Sequence, residues 1–189
     1  MHPLLSCIAF TLLISTACNQ STKPATESAN PSPTEPIVKD SPTKVYTAGD
    51  GLNKLFSIAD AVMILGESAT ITDSTMSTQS NIKAYKGEYR GNLGGEQPAV
   101  VRFLIESFSM PQDAKIKYGF IKASYEDKAD FKNLSGVGDE AFFQTDNGKA
   151  HFIMARKGNN VFNIKVTNIS SHTSVDALHV TARRIASTL

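Results

Sequence analysis

Three acidic residues sit just after turn glycines: Glu67 follows Gly66, and Asp139 and Glu140 follow Gly138. Two carboxylates at a suitable separation can cleave a glycosidic bond, one as acid and one as base or nucleophile. Glu67 and Asp139 occupy equivalent places ahead of two short predicted strands, however, and backbone geometry with solvation accounts for an acid there without a reaction. Of the four histidines, His151, His172 and His179 lie in the body of the chain. The last two are seven apart, but His172 precedes a predicted helix start, and helical zinc sites use closer pairs such as H-E-x-x-H. No metal or other cofactor is expected. Gly136-Val137-Gly138 enters a predicted strand rather than a helix, so it does not read as a phosphate cradle. The chain lacks tryptophan, which leaves tyrosine and phenylalanine as stacking platforms. Tyr85 and Tyr89 share one face of a predicted strand and are the residues nominated to line a ligand groove. Tyr118 and Tyr125 share a helix face and read as core.

Both cysteines fall near the N-terminus. Leu4 to Ala17 form an apolar run that ends directly at Cys18. At about fourteen residues it is too short to cross a bilayer of about 30 Å as a helix, and it fits a signal-peptide core. Cys18 follows the small residues Ser15, Thr16 and Ala17. This resembles the bacterial lipobox, whose cysteine receives diacylglycerol and becomes the mature N-terminus. Ser15 stands where that motif usually has leucine, and Met1-His2-Pro3 offers no basic side chain besides the histidine. The alternative is an ordinary signal peptide cleaved near Ala17 that leaves Cys18 as an incidental thiol. Asn19 rather than Asp after the cysteine leans toward the outer membrane. Cys7 would leave with the leader, so neither a disulfide nor a catalytic thiol is expected.

From Asn19 to Lys44 the chain carries five of its eight prolines (Pro24, Pro31, Pro33, Pro36, Pro42) among many Ser and Thr, with no glycine and no aromatic residue. Such a segment cannot bury enough apolar surface to offset its ordering entropy, and its prolines bias it toward extended polyproline II. The organisation expected is a signal peptide over 1–17, a lipid-anchored disordered tether over 18–47, and a single α/β sandwich domain over 48–189.

Within that domain, Leu52, Leu55, Phe56, Ala59, Val62 and Met63 recur at helical spacing. Ser57 and Asp60 form a capping signature that starts the regular helix at Ile58, and Gly66 ends it. Strands follow at 69–73, 82–90 and 99–108, with a polar connection at 74–80. A second helix opens at Ser109, with Gln112 as its capping partner and Pro111 in the first turn. Its apolar stripe is Ala114, Tyr118, Ile121 and Tyr125. After a polar stretch at 126–135, strands are expected at 140–144, 151–156 and 161–167. A last helix carries Val175, Leu178, Ala182, Ile185 and Leu189 on one side, capped by Thr173. The fold class is therefore α+β: two α-β-β-β units plus a C-terminal helix, with an antiparallel sheet and helices packed on its faces.

Leu134 to Phe142, Met154 to Asn159, and Ala59 to Val62 running into Ile64 to Glu67 resemble patterns in small bacterial secreted lipoproteins of PsbP-like α/β-sandwich type. That resemblance implies an envelope accessory or binding role and supplies no catalytic residues. The charge balance, 19 basic against 18 acidic, is interleaved as in Lys86-Gly87-Glu88, so nucleic acid is not an expected partner. The functional expectation is a membrane-tethered envelope lipoprotein, lipid-anchored to the periplasmic face of the outer membrane. It would act as a non-enzymatic binding or accessory domain for a small lipophilic ligand or another envelope protein. The alternatives are a hydrolase without a recognisable motif and a structural assembly partner.

Overall fold

The computed structural model describes residues 51–93 and 97–189. The leader, Cys18 and the tether lie outside the described residues. After a single tight turn at Leu52–Lys54, the elements run α1 (Ile58–Leu65), β1 (Ala69–Gln79), β2 (Ile82–Gly91), β3 (Val100–Ser107), α2 (Pro111–Ala123), β4 (Lys132–Leu134), β5 (Glu140–Asp146), β6 (Ala150–Lys157), β7 (Asn160–Thr167) and α3 (Val175–Thr188). All seven strands form one antiparallel sheet in the order β1-β2-β3-β7-β6-β5-β4. The class is α+β, with a three-strand and a four-strand unit meeting at the β3–β7 pair. Strands β1, β2 and β3 are mirrored by β5, β6 and β7 about that seam.

Helix α1 begins as its sequence dictates. Ser57 accepts from the Asp60 backbone N–H at 3.3 Å, and Asp60 accepts from the Ser57 N–H at 2.7 Å, closing the capping box. Gly66 ends the helix in the left-handed region at φ 70. The other two helices start one residue later than expected. Pro111 occupies the first turn of α2 and makes Met110 the N-cap, while the Ser109 hydroxyl donates instead to Asn81 O at 3.3 Å. In α3 the cap is Ser174, which accepts from Ala177 N–H, because the Thr173 hydroxyl is already engaged by the Ser170 N–H. Two strands also depart from expectation. Strand β1 runs on through the presumed polar connection 74–80 and turns at Ser80-Asn81, both at positive φ. Strand β4 lies within the presumed polar stretch 126–135. Both are edge strands with mostly exposed side chains, so neither carries the alternation that reveals a half-buried strand.

Helices α1 and α3 lie on one face of the sheet, and α2 lies on the other. The larger core fills the first face: Phe56, Tyr89, Phe103, Ile105, Phe162 and Ile164 are all buried there with Ile64, Leu65, Leu178 and Ile185. Phe56 stacks on Phe103 with ring centres 5.1 Å apart. The smaller core packs α2 against β5, β6 and β7 through Ala114, Tyr118, Phe142, Met154 and Val161. On that side the sheet over β1, β2 and β3 carries charge instead: Lys86 pairs with Asp73 and Arg102 with Glu88, each at 2.7 Å. One face is therefore covered by two helices, the other by one.

Candidate functional site

The three acids nominated from sequence hold turns. Glu67 accepts from the Leu93 backbone N–H and so fastens the β2–β3 connection to the start of β1. Asp139 does the same one unit later, accepting from the Gly158 N–H at 2.8 Å in the β6–β7 turn. Asp139 also takes Arg156 and Lys157, each at 3.0 Å, and Glu140 takes Arg156 Nε at 2.7 Å. Burial works to raise the Asp139 pKa, but the Gly158 N–H, Lys157 and Arg156 together hold it below the ordinary carboxylate value. Each acid is committed to its own hairpin, and this geometry gives them a structural role.

The structure joins two histidines that the sequence leaves apart. His151 on β6 and His179 on α3 both pack against the Phe143 ring, at 5.7 and 5.1 Å between centres. Burial lowers both pKa values; the neighbouring His179 adds to this at His151, and Arg183 adds to it at His179, against a smaller opposing effect of Asp176. The Thr145 hydroxyl lies 3.3 Å from His151 Nδ1. His172 is exposed ahead of α3. Among the described residues no three His, Cys, Asp or Glu side chains gather to hold a metal ion.

Tyr85 and Tyr89 do share a strand face, and that face is the covered one. They are 3% and 1% exposed, in the core beneath α1, and line no open groove. Alternation says that two residues face the same way but not which way. Gly87 between them makes room: a Cβ there would stand 3.0 Å from the Tyr89 ring and 3.1 Å from the Tyr85 hydroxyl. Tyr89 donates to Phe56 O at 3.1 Å, so its buried hydroxyl is satisfied.

An open cleft lies instead beside the C-terminal end of α2. It holds about 190 Å³ and is lined by Tyr125, Lys128, Gln144, Asp146, Ala150, Phe152 and Lys165. Register builds it: Gln144 stands opposite Phe152, and Phe152 opposite Lys165, giving one row across β5, β6 and β7. The same row continues through Arg102, Glu88 and Asp73 to the far edge. The aromatic wall is Tyr125 stacked on Phe152, centres 5.2 Å apart and planes 20° from parallel. Lys128 Nζ lies 4.7 Å from the Tyr125 ring centre. Gln144 is buried and donates to Ala129 O and Thr145 O, while its Oε1 has no donor among the described residues. Sequence reasoning assigned Tyr125 to the core and left Phe152 and Lys165 on their strands. Only the cross-strand register places them together.

No protein-family model matches the chain, and no curated protein does. The fold is that of an α+β domain similar to a solved extracellular one. The chain is similar to the extracellular domain of PknH from Mycobacterium tuberculosis at 9% sequence identity and a TM-score of 0.50, covering 71% of this chain and 92% of that one. At that identity the likeness is one of fold. Among the described residues no helix is long and apolar enough to cross a membrane.

Proposed function

We propose that the chain is a lipid-tethered protein of the bacterial envelope, akin to PsbP-like lipoproteins, whose folded domain binds a small ligand without transforming it. The observation that carries the binding reading is the cleft beside α2. A flat aromatic wall flanked by Lys128 and Lys165, with Asp146 the one acid of the lining, suits a small planar anion rather than a purely lipophilic molecule. The apolar run ending at Cys18 and the proline-rich tether support the envelope location, and Asn19 after the cysteine supports the outer-membrane side. A second reading, docking on another envelope protein, is favoured by Ile116 and Phe120. These are 62% and 79% exposed on the side of α2 opposite buried Ala114 and Tyr118.

Titration of the ¹⁵N-labelled chain with benzoate, benzamide and inorganic phosphate tests the cleft. Benzoate should move the amide signals of Tyr125, Gln144 and Phe152. Lys165→Ala should weaken that binding about fivefold, the scale of one exposed charge contact. Benzoate that leaves these signals unmoved at tens of millimolar, a range of roughly 2–3 kcal/mol of affinity, overturns the binding reading. The tether is tested separately. Cys18→Ser should shift the protein from the membrane to the soluble fraction and abolish palmitate labelling, and unchanged retention would refute the anchor.

A further inference from the structure

The two ends of the sheet are finished differently. Strand β4 is three residues long and presents exposed Lys132 and Asn133, which blunts that edge. Strand β1 is 11 residues long, and among the described residues it pairs only with β2. Its sequence, ATITDSTMSTQ, contains neither proline nor lysine. Asp73 is its one charged side chain, and Lys86 at 2.7 Å and the Thr75 hydroxyl at 2.9 Å already satisfy it. The one irregularity is a bulge between Ile71 and Asp73. The outer row of backbone N–H and C=O groups is thus offered to another strand along most of its length.

The side chains beside this edge fit the same kind of partner. Ile71 stands opposite Tyr89 and Met76 opposite Tyr85, so both lie on the α1 face. They are 52% and 48% exposed. An edge of free peptide groups bordered by two apolar side chains selects an extended strand of low charge.

We propose that the partner is a second copy of this chain, joined β1 to β1 in antiparallel fashion about a two-fold axis, so that two seven-stranded sheets become one. Self-pairing meets no like-charge opposition. With the axis at Thr75, Asp73 faces Ser77 of the other copy; with the axis at Met76, it faces Gln79. The two-fold also brings Met76 of both copies to the same face of the joined sheet, where each covers the other. The chain's own tether suits the edge less well, since Pro24, Pro31, Pro33, Pro36 and Pro42 cannot donate to a ladder. An edge of eleven residues runs about 37 Å and buries on the order of 1,000 Å² in total, the low end for a specific interface. An interface of that size suits a weak, reversible dimer rather than an obligate one, and a dissociation constant on the order of tens of micromolar is the expectation.

Sedimentation velocity on the secreted, unlipidated Cys18→Ser chain over about 1–300 µM is the test, a range that brackets the expected constant. The expected result is a monomer–dimer transition obeying mass action. Ser77→Asp, which sets a second carboxylate directly or diagonally across from Asp73 of the other copy, and Met76→Lys, both at exposed positions, should each raise the dissociation constant tenfold or more while leaving the thermal midpoint of the dilute monomer unchanged. A chain monomeric throughout, open-ended association, or a dimer indifferent to both substitutions would overturn the proposal. Benzoate binding is read on the monomer, so failure here leaves the cleft untouched.

Discussion

Gly66→Ala and Gly138→Ala should each destabilise the domain by about 3 kcal/mol or more, whereas Gly136→Ala should lose only about 1–2 kcal/mol. All three glycines lie in the left-handed region, at φ 70, 66 and 72. The conformational cost of a side chain is therefore shared by all of them and cannot separate them. What differs is space. A Cβ on Gly66 would stand 2.2 Å from the His172 backbone carbonyl oxygen, and one on Gly138 would stand 2.4 Å from that of Arg156. At Gly136 nothing lies within 4 Å. Neither obstructing carbonyl is free to retreat. The loop bearing His172 is fastened by the Ser174 N–H donating to Ile64 O at 2.8 Å, and Arg156 O accepts from the Asp139 N–H at 2.8 Å. Steric overlap against pinned backbone is thus added to the dihedral penalty at two positions and absent at the third. Urea denaturation of the three variants checks this, and for a domain of this size the larger losses correspond to a fall in Tm of roughly 10 °C. Three equal losses would show that the close approaches relax at little cost.

Phe142→Ala should cost about 3–5 kcal/mol, and Phe142→Leu, which keeps most of the apolar volume, considerably less. Phe142 is fully buried, and four rings lean on it: Phe131 at 5.2 Å, Tyr125 at 5.5 Å, Phe152 at 5.7 Å and Tyr118 at 6.0 Å. Two of the four, Tyr125 and Phe152, form the wall of the cleft, so Phe142 supports the proposed binding surface from behind. The substitution therefore has a second readout that stability alone would not give. Phe103→Leu trims the other core, where Phe103 packs on Phe56, Tyr85 and Phe162. It should lose similar stability without touching the cleft. Benzoate binding should fall severalfold in Phe142→Leu and stay unchanged in Phe103→Leu. Equal effects on binding would mean that the cleft does not depend on the ring beneath it.

The glycine prediction also explains a repeat that the sequence shows only faintly. Gly66, Glu67 and Ala69 set against Gly138, Asp139 and Ala141 match at a glycine, an acid and an alanine, three positions that chance alone could match. In the structure each glycine allows a close backbone approach, and each acid then caps a hairpin of its own unit, Glu67 at Leu93 and Asp139 at Gly158. Both pairs tie the entry of a unit's first long strand to the turn between its last two. The candidate carboxylates carry that mechanical role.

Much of the local structure was legible before any coordinates. The Ser57–Asp60 capping box, the glycine stop at Gly66 and the stripe of Leu178, Ala182 and Ile185 along the last helix are set by residues close in sequence. Helix stripes and strand alternation record a local period, and the number, kind and order of most elements follow from it. The continuation of β1 beyond Asp73 and all of β4 escaped for the same reason, since these edge segments have too few buried side chains to write a period. What only the tertiary structure decided is which face, which neighbour and which edge. Tyr85 and Tyr89 were visible as a pair, but α1 covers their face. Gln144, Phe152 and Lys165 meet in one row only once β5, β6 and β7 take their register. A strand's pattern repeats every two residues whatever lies beside it, so the sequence states the alternation, and the packing of distant segments chooses what each side becomes.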